Sequence, residues 1–155
     1  MGNILYTGFR GIRNASGLLT QQLAQDCCLL TNSFGGLKRD IDAISCDYDH
    51  VIMFGVDREL TDSIRIERTA EKDCVRYASS LNLEGFGASF RAAGLAVSVS
   101  ETPTAWLCNE AYWHMLRKFD GRAVFIHVPT VRNADEAFVR KIRRALSRKA
   151  QDAST

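Results

Sequence analysis

The sequence predicts an α/β fold, built as a three-layer α/β/α sandwich around a largely parallel sheet. Short apolar runs, typical of buried strands, alternate along the chain with segments whose apolar residues recur at helical spacing. Strands separated by helices form βαβ units, and their strands run parallel. A length of 155 residues, with 46% hydrophobic and 25% charged residues, is typical of one globular domain. We expect residues 1–150 to form this domain and 151–155 to be a disordered tail.

The first half of the chain contains three predicted strands and two predicted helices. Residues 3–9 form an apolar run that predicts the first strand, and a polar loop over 10–16 leads into the first helix. A second strand is expected to open at 29–30, and apolar residues on one face predict a helix over 38–44. The continuous apolar run over 48–55 is typical of a buried strand and stops at a glycine.

The second half continues the alternation of strands and helices. Its predicted elements are a half-exposed strand over 64–70, a helix over 87–93, a strand over 95–99, a helix over 105–119 and a strand over 123–129. Gly94 is a helix C-cap signal. Asn133 is expected to cap the final helix, with Glu136 three residues further on.

Basic residues concentrate in that final helix. Residues 132–149 contain seven Lys or Arg and two acidic residues, a net charge of +5 in a chain whose total is +2. Apolar residues recur through this segment at helical spacing, so we interpret it as an amphipathic helix with a solvated basic face. A nucleic-acid patch is the alternative. Because no DNA- or RNA-binding signature occurs elsewhere, we expect no nucleic-acid partner.

The cysteine pattern and the hydropathy exclude several classes of protein. Five cysteines are an odd number, and no secretion signal precedes them, so we expect a reduced, cytoplasmic chain without a disulfide framework. Neither Cys-x-x-Cys nor His-Glu-x-x-His occurs, so no metal or other cofactor is indicated. No run of 18 apolar residues occurs, and we therefore expect no membrane partner.

Three reactive residues are predicted at or near strand ends, where parallel sheets bind ligands. Cys108 begins the helix that follows strand 95–99, and a helix N-terminus stabilises a thiolate, so we expect a lowered pKa for this thiol. His127 lies near the end of the last strand, and Glu67 lies in strand 64–70. Cysteine, histidine and a carboxylate are the components of a nucleophilic acyl-transfer site. Each residue, taken singly, also has a structural alternative. Cys108 is then a buried packing residue, His127 a core histidine whose nitrogens are hydrogen-bonded, and Glu67 a surface carboxylate in an ion pair.

Motifs around these residues resemble a known family. They are Thr7-Gly8-Phe9, Ile66-Glu67-Arg68, Cys108-Asn109 with an aromatic residue two positions earlier, and Phe125-Ile126-His127-Val128-Pro129. The set is similar to the pyroglutamyl peptidase I (pyrrolidone-carboxylate peptidase) family of cysteine peptidases, in the same order of Glu, Cys and His. The resemblance covers about residues 3–147 and describes a shortened member. It implies a phosphorylase/hydrolase-like α/β fold.

The resemblance also implies a role for each reactive residue. Cys108 would be the nucleophile, His127 the general base and later the general acid, and Glu67 the group that orients the imidazole. The substrate would be a peptide or a small acyl-amide. Homo-oligomer formation is left open.

The chain departs from the family in the loops that bind substrate. The loop after the first strand is shorter, with Ile12 where a second aromatic residue is expected. Segment 55–60 replaces the Gly-x-Ala-Gly-Gly-Arg turn, and Arg58 is the candidate for its arginine. The expected substrate-binding residues are Phe9, Ile12, Asn14, Val56, Arg58, Trp106 and Leu107.

These observations predict a cysteine omega-peptidase that removes an N-terminal pyroglutamyl group, or a related small acyl group, from an amine. One alternative is a family relative with altered catalysis that binds a small ligand at the same edge of the sheet. A second alternative is a hydrolase of another acyl-amide or of an ester.

Overall fold

The computed structural model describes residues 2–153, and within them eight strands and five helices follow one another. In chain order they are β1 (Ile4–Phe9), α1 (Ala15–Leu23), β2 (Cys27–Leu30), α2 (Phe34–Asp42), β3 (His50–Val56), β4 (Ser63–Glu67), β5 (Thr69–Lys72), β6 (Val75–Ala78), α3 (Leu83–Ala92), β7 (Ala96–Ser100), α4 (Trp106–Lys118), β8 (Ala123–Val128) and α5 (Glu136–Ala153). No helix in this part of the chain is long and apolar enough to cross a membrane.

Six of the strands form one mixed sheet in the order β2-β1-β3-β8-β4-β7. β1, β2, β3 and β8 run parallel, as the alternation of strands and helices predicts. β4 pairs antiparallel with β8, and β7 pairs parallel with β4, so these two strands run in the opposite direction. The prediction of a largely parallel sheet is therefore confirmed, with two reversed strands at one side.

Helices cover both faces of the six-stranded sheet, which confirms the three-layer sandwich. Successive strand residues point to opposite faces, and each face has its own core. The first core is formed by even-numbered residues of β3, β4 and β8 with helices α1, α3 and α5; it includes Phe54, Ile66 and Ile126. The second core is formed by odd-numbered residues of β3 and β8 with α2 and α4; it includes Met53 and Phe125.

A β-hairpin replaces the end of the strand predicted over 64–70. The strand is interrupted at Arg68, and β5 then pairs with β6 in a separate two-stranded sheet. The two turn residues, Asp73 and Cys74, have φ angles of 51° and 64°. Hairpin turns with two positive φ angles are normally marked by Gly or Asn. The Asp-Cys pair is a weak turn signal, which is why the sequence did not predict this hairpin.

The helix boundaries differ from the predicted ones at several places, and α2 begins at Phe34 after a Ser33 cap instead of at residue 38. Asn82 caps α3 by accepting from Gly85 N at 3.0 Å, so this helix begins earlier than predicted. The cap predicted at Asn133 is wrong, because Asp135 accepts from Phe138 N at 2.9 Å and α5 begins at Glu136. Helix α5 extends to Ala153 and so includes residues 151–153 of the expected tail, whereas 154 and 155 lie outside the described residues.

The final helix is amphipathic, as its sequence predicts. The apolar side chains that it buries in the first core are Phe138, Val139, Ile142, Ala145 and Leu146. The arginines on its other side, Arg140, Arg143, Arg144 and Arg148, are exposed. Burial of the apolar stripe accounts for the position of this helix, and the basic face is left to solvent.

Candidate functional site

The predicted histidine and carboxylate form a buried pair on neighbouring strands. In the antiparallel register of β4 with β8, Arg65 is opposite His127 and Glu67 is opposite Phe125. All four side chains therefore lie on the second-core face of the sheet. His127 Nδ1 is 2.8 Å from Glu67 Oε1, and the two residues are 3% and 1% exposed. The reversal of β4 thus brings together the two side chains that the sequence placed 60 residues apart.

Glu67 is held in its ionised form. Burial by itself would raise the pKa of Glu67, but hydrogen bonds from His127 and Arg65, together with their positive charges, hold that pKa below its ordinary value. An ionised carboxylate can only accept hydrogen bonds, so the proton of the pair belongs to His127 Nδ1. The second ring nitrogen, Nε2, is then the one that can accept a proton from a thiol.

Two further residues belong to this network, and neither was among the predicted site residues. Arg65 Nε donates to Glu67 Oε1 at 2.7 Å, and Arg65 Nη1 pairs with Asp57 Oδ2 at 2.7 Å. Arg65 Nη2 also lies 3.3 Å from His127 Nδ1. The period-two alternation of the strand contained a signal for Arg65, because it places residues 65 and 67 on the same face. Asp57 follows β3 directly, and its approach to Arg65 depends on how the strands pair.

Cys108 is the third residue of α4 and lies over the strand that neighbours β8. Its position follows from Gly55, which is opposite His127 in the β3–β8 register. A Cβ atom added to Gly55 would lie 2.9 Å from Cys108 Sγ and 2.5 Å from Phe125 Cζ. The absence of a side chain at this position therefore makes room for the thiol on the face that carries His127. Hydrogen-bond contact between Cys108 and His127 stays a prediction.

The thiol of Cys108 is neutral, contrary to the expectation from its helix position. Burial, with the negative charges of Glu67 and Asp57, raises the pKa of Cys108 to about 12, although the Arg65 charge acts in the opposite direction. The expected lowering was inferred from the helix N-terminus alone. The loss of water around a half-buried thiol outweighs that contribution.

Four hydrogen bonds from three side chains of α4 hold this helix against the neighbouring strands. The side chain of Asn109 bonds to both backbone groups of Glu71, through Oδ1 at 3.1 Å and Nδ2 at 2.8 Å. Tyr112 Oη donates to the Glu67 carbonyl at 2.8 Å, and Trp113 Nε1 donates to the Val75 carbonyl at 2.9 Å. These bonds fix the helix that carries Cys108 relative to the strand that carries Glu67.

The N-terminus of α4 has free donors beside the thiol. Ala105, the N-cap residue, makes no side-chain capping bond, and the first N–H groups of a helix have no partners within it. Trp106 has a φ of 60°, a left-handed conformation that is strained for a bulky residue. The N–H of Cys108 is therefore available to an oxyanion that forms next to the sulfur.

The expected substrate-binding residues occupy different environments. Phe9 is buried in the second core, and the partly buried Leu107 packs against this core. Asn14 caps α1 by accepting from Ser16 N at 3.0 Å. Ile12 and Trp106 are 94% and 82% exposed. The last two candidates are Val56, which is half-buried at the end of β3, and Arg58, which is exposed.

Fold and site together define a class of protein. It is an α/β/α sandwich with a cysteine in the first turn of a helix, on the face of the sheet that carries a buried His-Glu pair. Among the side chains that the structure describes, no group of three that could hold a metal ion forms.

Several solved structures of pyrrolidone carboxyl peptidases have a similar fold. The enzyme from Thermococcus litoralis is 18% identical, with a TM-score of 0.78 over 100% of this chain and 97% of its own. Pyroglutamyl peptidase I from Bacillus amyloliquefaciens is 16% identical, with a TM-score of 0.80 over 94% of this chain and 93% of its own. The enzyme from Thermus thermophilus is 20% identical, with a TM-score of 0.75 over 92% of this chain and 98% of its own. This chain therefore has the pyrrolidone carboxyl peptidase fold. No family model matches the sequence, and no curated protein matches it.

Proposed function

We propose that this protein is a cysteine peptidase that removes an N-terminal pyroglutamyl group, or a related small acyl group, from an amine. The buried His127–Glu67 pair on the face that carries Cys108 is the observation that supports this function. A histidine oriented by an ionised carboxylate acts as a general base, and a cysteine at a helix N-terminus with free N–H donors can act as the nucleophile. The fold shared with pyrrolidone carboxyl peptidases supports the same chemistry.

The neutral thiol determines how the reaction would begin. Because the pKa of Cys108 is raised to about 12, proton transfer to His127 Nε2 accompanies attack of the sulfur on the amide carbonyl. The carbonyl oxygen becomes an oxyanion, which the N–H of Cys108 can stabilise. His127 then gives the proton to the departing amine as the C–N bond breaks, leaving a thioester. Water, activated by the same imidazole, adds to the thioester and releases the acid and the free thiol.

Turnover of a fluorogenic pyroglutamyl amide tests the proposal. The wild-type protein should release the fluorophore, whereas Cys108→Ala and His127→Ala should lose activity. A wild-type protein without turnover, or a Cys108→Ala variant as active as the wild type, would refute the proposed chemistry. Cys46→Ala is the control for the loss of a thiol, because Cys46 is exposed and lies in the loop before β3.

The exposed Ile12 bears on how tightly the acyl group is held. It stands where an aromatic residue is expected, and an aromatic contact contributes about 0.5–1.5 kcal/mol, or roughly 2- to 10-fold in affinity. We expect a raised KM with little change in kcat. Replacement of Ile12 by Phe should lower KM several-fold. Saturation of the wild type at micromolar substrate would contradict this view of the pocket.

Ligand binding without turnover is the second candidate function. The raised pKa of Cys108 favours it, because a binding site needs no thiolate. A Cys108→Ala variant that binds pyroglutamate as well as a catalytically silent wild type would support this function. A hydrolase for another acyl-amide or ester would instead show turnover when the acyl group is varied. Residence in the cytoplasm and self-association stay predictions.

A further inference from the structure

We propose that Arg65 is a positioning residue of this site, which locks the Glu67 carboxylate and places a positive charge against the His127 ring. This inference rests on the proposed function. Arg65 is half-buried, with 27% of its side chain exposed, and its guanidinium contacts Glu67, Asp57 and His127. No role for residue 65 follows from the motifs that surround it in the sequence.

The first part of the proposal concerns the orientation of Glu67. Arg65 Nε and His127 Nδ1 both donate to Glu67 Oε1, at 2.7 and 2.8 Å. Two donors on one oxygen, approaching from adjacent strands, leave the carboxylate little freedom to rotate. Because Glu67 Oε1 orients the imidazole, a fixed carboxylate also fixes the ring, with Nε2 as the free nitrogen.

The second part concerns the charge of the imidazole. Arg65 Nη2 and His127 Nδ1 are both donors when Nδ1 bonds to Glu67, so their 3.3 Å separation is a contact between a cation and a ring, not a hydrogen bond. At this distance the positive charge of Arg65 would repel a positive charge on the His127 ring. The charged groups that face the ring are Arg65 and Glu67 from β4 and Asp57 after β3, and Cys108 from α4 lies near the same three groups.

The third part concerns Asp57, which holds the guanidinium in place. Its side chain pairs with Arg65 Nη1 at 2.7 Å and accepts from Glu59 N at 2.9 Å. Its backbone N–H donates to the Val128 carbonyl at 3.0 Å. Asp57 is therefore tied to the strand that carries His127 as well as to Arg65. Asp57, Arg65 and Glu67 thus form a clamp around His127. This clamp connects β3, β4 and β8, the three strands under the candidate site.

The charge of the His127 ring provides a test that does not require turnover. The chain has three histidines, and the His127 resonance is assigned by its loss in His127→Gln. The pH at which this ring takes up a proton is followed by NMR in the wild type, Arg65→Gln, Arg65→Lys and Asp57→Asn. In Arg65→Gln, the lost positive charge and the unpaired Asp57 both favour protonation, so the midpoint should rise by roughly half a pH unit or more.

The other two variants separate positioning from general damage. Asp57→Asn removes a negative charge and should move the midpoint down, whereas Arg65→Lys keeps the charge and should leave it near the wild-type value. The acid limb of kcat/KM should follow the same three shifts. An unchanged midpoint in Arg65→Gln, or shifts of one sign in all three variants, would overturn the proposal. If the shifts occur as expected but the wild type has no turnover, the proposed function is refuted, whereas the positioning role of Arg65 is still supported.

Discussion

The side chain of Asn109 pairs with the backbone of Glu71 as a neighbouring strand would. Asn109 Oδ1 accepts from the Glu71 N–H, and Asn109 Nδ2 donates to the Glu71 carbonyl. Asn109 is adjacent to Cys108, so this pair connects the start of α4 to the hairpin that follows Glu67. The Cys-Asn motif of the sequence thus contains the proposed nucleophile and a residue that holds the helix in place.

Replacing Asn109 by Ala should therefore destabilise the protein. The variant loses two hydrogen bonds, and each contributes about 0.5–1.5 kcal/mol, so we expect the free energy of unfolding to fall by about 1–3 kcal/mol. Urea denaturation measures the change. Glu71→Ala is the matched control, because it keeps the backbone groups that Asn109 binds and should change stability by less than about 0.5 kcal/mol. Equal losses in the two variants would contradict this role.

The raised pKa of Cys108 predicts slow alkylation. With a pKa of about 12, its thiolate fraction at pH 8 is roughly a thousand-fold below that of an ordinary exposed thiol. Cys46 and Cys74 are exposed, so iodoacetamide should modify them before Cys108. This reverses the order that the sequence predicts from the helix N-terminus. Peptide mapping gives the order in which the cysteines are alkylated, and unfolding in urea should make their alkylation rates equal. Early modification of Cys108 at pH 6 would show that its thiolate is stabilised in the folded protein.

The left-handed conformation of Trp106 predicts different effects of two substitutions. Glycine adopts a φ of 60° without strain, whereas alanine does not. Trp106→Gly should therefore be more stable than Trp106→Ala by about 1 kcal/mol. Because both variants lack the exposed indole, they should raise KM by similar factors. Chemical denaturation and steady-state kinetics measure the two effects, and equal stabilities would argue against strain at this residue.

The ionised Glu67 predicts a loss of stability in acid. Its pKa is lowered in the folded protein, so the stabilisation it contributes is present above its unfolded value of about 4.3 and disappears as the pH falls through the folded value. Asp57, whose pKa is also lowered, acts in the same direction. The free energy of unfolding should decrease from pH 6 to pH 3, and Glu67→Gln should decrease less over this range. Urea titrations at several pH values measure both slopes; parallel slopes would contradict the assignment.

Much of the fold follows from local patterns in the sequence. The continuous apolar runs of β3 and β8 predict buried strands because both of their faces are covered. The amphipathic spacing of α5 predicts its buried stripe, and the residue types around Cys108, His127 and Glu67 indicate acyl-transfer chemistry. Each of these strands, helices and motifs is formed by residues close together in the chain, so each can be recognised from the sequence alone.

The chemistry of the candidate site depends on contacts that only the tertiary structure decides. The reversal of β4 beside β8 places Arg65 and Glu67 against His127, and strand direction is set by pairing partners far apart in the chain. Asp57 joins the network through the same pairing. The pKa of Cys108 depends on burial under α4, which overrides the helix N-terminus from which the sequence predicts a thiolate. Residue identities and their order were determined by the sequence, whereas charge states and partners were determined by three-dimensional packing, because desolvation and Coulomb interactions act through space.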